Sequence, residues 1–196
     1  MKCTLLGLLA LLAGAPAGRA QTLTSSADLY RSAEDFRLHR LSWETPARQA
    51  AFRVRLHEWP NRSYITVVHG AHKDTLAKAA VYGYRDHDSR VYRLTGNQRF
   101  PVLNSTEEVL LYKVEQPTVG KNPGYVRLYF SASAAAPLQP LTLLNVKRAF
   151  PSNYRLHELL DAQFPAGSDL TAWDELHGMT KLNWLLRYSQ DVAQRR

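Results

Sequence analysis

The amino-acid sequence predicts an α+β fold: a strongly curved antiparallel β-sheet or small β-barrel, followed by C-terminal α-helices packed on it. Three observations carry this expectation. Over about 52–131 apolar residues tend to recur at every second position; over about 141–190 they recur at helical spacing; between them Ala134 to Pro140 is a proline-bounded run of small residues.

The chain opens on the pattern of an export signal. Lys2 supplies a positive n-region, Leu5 to Leu12 form a short apolar run, and Gly18-Arg19-Ala20 is a small-x-small cleavage pattern. The pattern predicts a signal peptide over 1–20, cut between Ala20 and Gln21, because the apolar run is shorter than the roughly 20 residues a spanning helix needs. The remaining 21–196 are expected to form a single α+β domain. The one cysteine, Cys3, would leave with the signal. A mature chain without thiols excludes disulfides, cysteine nucleophiles and thiolate metal ligands, which suits a bacterial periplasm. The expected location is therefore periplasmic or secreted, and no later apolar run reaches membrane length.

Losing Lys2 and Arg19 would lower the formal net charge from +8 to +6. The remaining cations are dispersed and no nucleic-acid-reading motif accompanies them, so nucleic acid is excluded as an expected partner. The positive field would raise encounter rates with anionic envelope groups without choosing among them.

In chain order, Ser26 could cap a short helix through Ala27 to Phe36. Phe52, Val54 and Leu56 alternate against Arg53, Arg55 and His57, as in a half-buried strand. Tyr64 to Val68, Ala80 to Arg85, Arg90 to Leu94, Val109 to Val114 and Tyr125 to Phe130 are further strands, rich in β-branched and aromatic residues. In the last, Val126, Leu128 and Phe130 are expected to face a core, and Tyr125, Arg127 and Tyr129 to face outward or toward a neighbouring strand. Short connections favour antiparallel pairing. Leu141 to Phe150 could be a short helix. Leu156, Leu159, Leu160 and Phe164 follow helical spacing after a cap at Ser152 or Asn153, with Pro165 and Gly167 as stop signals. Thr171 and Asp174 resemble a capping box that starts a last helix, whose apolar stripe would be Trp173, Leu176, Met179, Leu182 and Leu186. Gly178 would interrupt it at a cost of roughly 1 kcal/mol.

Several of these segments carry a resemblance: Ser32-Ala33-Glu34-Asp35-Phe36, Ser63-Tyr64-Ile65-Thr66-Val67, Tyr82-Gly83-Tyr84-Arg85-Asp86, Tyr92-Arg93, Val109-Leu110-Leu111-Tyr112, and Ala149-Phe150-Pro151 with His157. Their order over nearly all of 21–196 resembles a family of uncharacterised exported Bacteroidetes proteins. The resemblance implies an envelope location and supplies no activity, substrate or catalytic residue. The family pattern would place a glycine in the turn after Asp88, where this chain has Ser89.

Candidate chemistry is sparse. His69 and His72 have a spacing that can serve a metal, although strand alternation would separate them unless the intervening Gly70 turn reunites them. His157-Glu158 begins like a zinc-protease motif, but Asp161 stands where the second histidine belongs; the His157 and Asp161 pair, with His177, is the weak remaining metal set. Asp86-His87-Asp88-Ser89 lacks the glycine and distal glutamate of a calcium loop and reads as a turn. No serine-nucleophile elbow or phosphate-cradling glycine loop occurs, and no cofactor is expected. What remains is an aromatic and cationic strand face, Tyr82, Tyr84, Arg85, Tyr92 and Arg93, suited to an envelope protein, peptide or glycan. Cross-strand packing explains the same aromatics without a ligand. The sequence thus predicts an exported, non-catalytic binding or structural module, with a small metal-dependent envelope hydrolase as the rival.

Overall fold

The computed structural model describes residues 28–41, 52–57, 62–69, 72–86, 88–116, 123–194. Ala20, Gln21, Cys3 and the rest of the expected signal lie outside them, as does His87.

The fold is mixed α+β, with antiparallel sheets and four helices among the described residues. One sheet contains β2 (Phe52–Arg55), β3 (Tyr64–His69) and β4 (His72–Ala77) in that order. The next orders β1 (Asp28–Tyr30), β5 (Gly83–Arg85), β6 (Val91–Thr95) and β7 (Gln98–Pro101) side by side. A third orders β10 (Gln139–Pro140), β9 (Tyr125–Ser131) and β8 (Leu110–Gln116). The helices are α1 (Ala33–Arg37), α2 (Leu143–Ala149), α3 (Tyr154–Gln163) and α4 (Lys181–Gln194), with a two-stranded hairpin of β11 (Trp173–Asp174) and β12 (Met179–Thr180) before the last. Among the described residues no sheet closes on itself, so the small barrel is not formed. The edges close in part by another route: an isolated bridge from Val102 to Tyr112 ties β7 to β8.

Strand alternation stacks these sheets. Leu29, Tyr84 and Leu94 turn one face of the four-stranded sheet onto Ile65 and Val67 of β3. Tyr30, Tyr82, Val91 and Phe100, on its other side, meet Leu110, Tyr112 and Tyr129 of β8 and β9. Val109, Leu111 and Phe130 then pack against Val146 of α2, Leu156 and Leu160 of α3, and Leu182, Leu185 and Leu186 of α4. Three apolar layers therefore separate two sheets, a third sheet and the helices. The run Val109 to Tyr112 does not alternate in polarity because both of its faces are buried. On β9 only the end near Phe130 is covered; Val126, expected in a core, is 55% exposed, and Tyr129 lies in the middle layer instead.

Local signals set the helices. Ser32 Oγ accepts from the Asp35 N–H at 3.0 Å and caps α1; the expected start at Ser26 is displaced because Asp28–Tyr30 pairs with β5 as a strand. Thr142 caps α2 and Asn153 caps α3. The expected helix start at Thr171 is corrected: Trp173 and Asp174 are a strand, and α4 begins at Lys181. Gly178 adopts φ 63° and closes the hairpin by donating its N–H to the Asp174 carbonyl at 2.9 Å, while the Asp174 carboxylate accepts from the His177 N–H at 3.1 Å. A left-handed glycine ends a helix rather than extending one. Trp173 and Leu176, 52% and 87% exposed, accordingly leave the predicted stripe, whereas Leu182 and Leu186 keep it.

Ser89 is strained in the turn after β5. Its φ of 63° lies in the left-handed region, where a side chain is strained and glycine is not. The Asp86 carboxylate holds the turn, accepting from the Asp88 and Arg90 N–H groups at 3.0 and 2.9 Å. Ser89→Gly is expected to stabilise the fold by about 1 kcal/mol, read as a higher midpoint in urea at unchanged slope.

Candidate functional site

Strand parity decides where the predicted aromatic face goes. Gly83 pairs with Arg93 and Tyr84 with Tyr92, so neighbouring residues of each strand turn to opposite sides of the sheet. Tyr82 and Arg93 fall on the side facing β8. Tyr84 and Tyr92 stack at 4.8 Å on the other. Arg85 sits at the strand end, where its guanidinium donates to the Asp28 carboxylate at 2.7 Å. The five residues form no single surface.

The Tyr82 side is interior. Arg93 lies 5.1 Å from the Tyr82 ring centre and donates to Tyr112 Oη at 3.2 Å and to the Ala136 carbonyl at 2.9 Å. Tyr112 Oη in turn shares a 2.9 Å hydrogen bond with Ser131 Oγ. The buried Tyr82 hydroxyl has no partner of hydrogen-bonding geometry among the described residues, although Tyr112 is near enough to act on its charge. Burial, and then Tyr112, push the Tyr82 phenol above its ordinary range against the lowering effect of Arg93. Burial likewise raises Tyr30. A raised folded pKa means that the unfolded chain loses the proton first, so this contribution is intact below pH 10.0 and declines as pH rises above it. Tyr82→Phe is expected to leave stability at pH 7 unchanged or raise it by about 1 kcal/mol, and to flatten the alkaline decline in melting temperature; Tyr112→Phe should cost about 1–3 kcal/mol by leaving donors unmet.

The Tyr84 side leads to a cleft. β6 and β7 are joined by the two-residue turn Gly96-Asn97, with Gly96 at φ 58°, as the first central position of a type II′ turn requires. This hairpin sets Tyr92 opposite Pro101 and Leu94 opposite Arg99. Past the Val102–Tyr112 bridge, continued pairing would join Pro101 to Lys113 and Arg99 to Glu115. Instead these residues line an open cleft of about 630 Å³ between β7 and the far half of β8. The Val102 N–H donates to the Val91 carbonyl at 2.9 Å, which turns the backbone edge of the next residue toward β8. That residue is Pro101, which has no N–H to offer, and the seam opens there.

Among the described residues that line the cleft, Arg90, Arg99 and Lys113 stand with the carboxylate Glu115, which pairs with Lys113 at 2.6 Å. Arg99 lies 5.2 Å from the Tyr92 ring centre and donates to Tyr84 Oη at 3.2 Å, so the stacked tyrosines hold it in place. Gln98, Gln116 and Tyr92 add hydrogen-bonding groups and a ring. Of the predicted binding residues only Tyr92 reaches this cleft.

The predicted metal candidates fall in three places: the β3–β4 turn, α3 and the β11–β12 hairpin. His69 and His72 are register partners at the β3–β4 turn, so the turn does reunite their backbone positions. His157 Nε2 lies 3.1 and 2.9 Å from the carbonyls of Lys147 and Phe150. Both oxygens only accept, so Nε2 carries the proton and caps the end of α2. Asp161 pairs with Lys147 at 2.5 Å. His177 stacks on Trp184 at 4.5 Å and bonds Asp174, whose carboxyl it holds below its ordinary range. Among the described residues no three histidine, cysteine, aspartate or glutamate side chains gather as a metal cage, and no helix is long and apolar enough to cross a membrane.

Comparison with protein-family models, with curated proteins and with solved structures finds no match.

Proposed function

We propose that this chain is an exported, non-catalytic binding module of a Bacteroidetes-type cell envelope, and that the cleft between β7 and β8 is its binding surface. The cleft carries this reading. Its volume of about 630 Å³ falls in the range of roughly 300–1,000 Å³ typical of ligand sites. Among its described lining residues cations outnumber carboxylates, which favours an anionic ligand, and the Tyr84–Tyr92–Arg99 stack fixes the place of one cation. The expected signal over 1–20 supports export, and the resemblance over 21–196 supports an envelope setting.

The test has two arms. Fused ahead of a phosphatase that is active only outside the cytoplasm, residues 1–20 should give activity, and the mature N-terminus should read Gln21 by mass spectrometry. Fluorescent polyglutamate or polygalacturonate should bind the full chain at low salt, neutral dextran should not, and the double variant Arg90→Gln, Lys113→Gln should weaken binding about tenfold or more. Equal binding by the double variant, with its circular dichroism unchanged, would remove the cleft as the binding surface.

A further inference from the structure

We infer that the outer edge of β4 pairs with itself: a second copy of this chain adds to it, antiparallel, about a two-fold axis through Thr75. The inference stands apart from the cleft reading. β4 is the outermost strand of its sheet and pairs with β3 over six consecutive residues without a bulge. The bond at the end of this ladder sets its parity. The Lys78 N–H donates to the Ser63 carbonyl at 2.8 Å, one step beyond the Tyr64–Ala77 pair on both strands, so the Ala77 N–H points away from β3. Alternation gives the backbone groups of Thr75 and Lys73 the same direction, while those of Asp74 and Leu76 point toward β3. The Ala77 carbonyl is committed as the first acceptor of the short helical turn Lys78–Ala80. The edge therefore offers the N–H and C=O of Lys73 and of Thr75, and the Ala77 N–H. Among the described residues no other strand or side chain takes these groups.

These groups select their partner. When two identical strands meet about a two-fold axis, outward-pointing residues must face outward-pointing residues, and two registers then allow four backbone bonds. One is centred on Asp74 and sets this carboxylate against its own copy, a like-charge pair that opposes association. The other is centred on Thr75. It joins the two Thr75 residues reciprocally, and each Ala77 N–H donates to the Lys73 carbonyl of its partner. Lys73 then stands across from Ala77 and Asp74 across from Leu76, so no charge opposes its like. The side chains of Lys73, Thr75 and Ala77 are exposed and lie on the face away from the apolar layer of Ile65 and Val67, which association leaves closed. Other edges are guarded: β10 has two residues and ends in a proline, β1 has three, and β7 is bridged to β8. The charges on β4, Lys73 and Asp74, lie toward one end and leave its centre open. The result is a closed dimer in which two three-stranded sheets become one of six strands.

Sedimentation equilibrium of the purified protein from about 1 μM to 1 mM should show monomers giving way to dimers, the range suited to a short edge without a large apolar interface. Over that range hydrogen exchange at the Thr75 and Ala77 amides should slow by about tenfold or more, while the Asp74 and Leu76 amides, already bonded to β3, should change little. Thr75→Pro removes the central donor and spares the β3 ladder, because that N–H points outward. Thr75→Lys brings two ammonium groups face to face across the axis. Each variant should weaken association about tenfold or more with its circular dichroism unchanged; if the proline variant does not fold, the lysine variant decides. Monomers at every concentration, or dimers that the lysine variant forms as readily, overturn the inference. Protection of the Thr75 and Ala77 amides that appears only when envelope extract is added overturns it too, and assigns the edge to a different partner.

Discussion

Gly83→Ala is expected to be the most damaging single substitution in the chain. A Cβ at this position would stand 2.2 Å from the Tyr92 carbonyl oxygen, with the carbonyl carbon at 3.2 Å and the Arg93 Cα at 3.3 Å. All three are backbone atoms of the neighbouring strand, so no side chain can rotate aside. The closest is a partner in the β5–β6 ladder itself, which means that relief must come from parting the two central strands of the four-stranded sheet. Gly83 is buried, and its neighbours Val81 and Tyr84 fill the first apolar layer while Tyr82 fills the second, so parting the strands would loosen two layers at once. The cost should exceed about 4 kcal/mol, the level at which single substitutions become exceptional. In urea the variant is expected to be largely unfolded well below the wild-type midpoint. A midpoint within the range of an ordinary surface substitution would show that β5 and β6 are not held as closely as described. Because β6 carries Tyr92 and is preceded by Arg90, whatever folded protein remains should also lose its affinity for polyanions.

The residues that made this region distinctive in the sequence, Tyr82-Gly83-Tyr84-Arg85, were read as a candidate binding face, and Gly83 shows why that reading reached only part of the way. Periodicity located the strand but left both of its faces open to function. In the structure one face is closed by β3 and the other by β8, so Tyr82 and Arg93 became interior and Tyr84 became the support under Tyr92 and Arg99. A one-dimensional pattern cannot show that a strand has a covered neighbour on each side. The strands β2, β3, β5, β6, β8 and β9 and the helices α2 and α3 were legible because their own side chains carried the period and their caps were local. β4 was not, since His72–Ala77 is largely polar and exposed. β7 was missed although Gly96-Asn97 is a hairpin signal, and with it Arg99 and Pro101. Reading that turn would have put a proline on the edge of a strand, which marks a place where a ladder stops. The false start of the last helix has a local cause as well: Asp174 caps a hairpin turn as readily as a helix, and only the positive φ at Gly178 separates the two.

The helical pair of metal candidates has other partners. His157 and Asp161 do lie one helical turn apart, as their spacing required, but each is occupied by α2. A histidine that donates to two helix-end carbonyls cannot offer the same nitrogen to a metal, and the Asp161 carboxylate faces an ammonium group. Spacing gives proximity; the protonation state and the existing partners decide chemistry.

Asn183→Leu should produce the second large loss, and it tests how the helices are fastened to the sheet. Asn183 lies on α4, buried, and its carboxamide matches the backbone of Val109 just before β8: Oδ1 accepts from the Val109 N–H at 2.8 Å and Nδ2 donates to the Val109 carbonyl at 2.9 Å. Nδ2 also donates to Thr180 Oγ1 at 2.8 Å. Asn104 makes a parallel connection, with Nδ2 to the Val109 carbonyl at 2.8 Å and Oδ1 accepting from Leu111. The two amides thus stand in for a missing neighbouring strand where β8 has none. Glu107 completes the network by accepting from the Thr180 N–H at 3.1 Å and from its hydroxyl. Leucine has as many side-chain heavy atoms as asparagine but a bulkier tetrahedral branch, so the change removes the hydrogen bonds and adds some crowding. It leaves the Val109 N–H buried and unpaired and strips Thr180 of a donor, at about 1–3 kcal/mol for each group so exposed to loss. A total near 3 kcal/mol is expected, or about 6–12 °C in melting temperature for a chain of this size. Asn145→Leu, which removes a single exposed hydrogen bond from α2 to the Pro140 carbonyl, should cost less than about 1 kcal/mol and serves as the control. If the two variants melt together, the amide clamp contributes no more than an ordinary surface bond, and the helices are held to β8 by Leu111, Phe130 and their apolar partners alone.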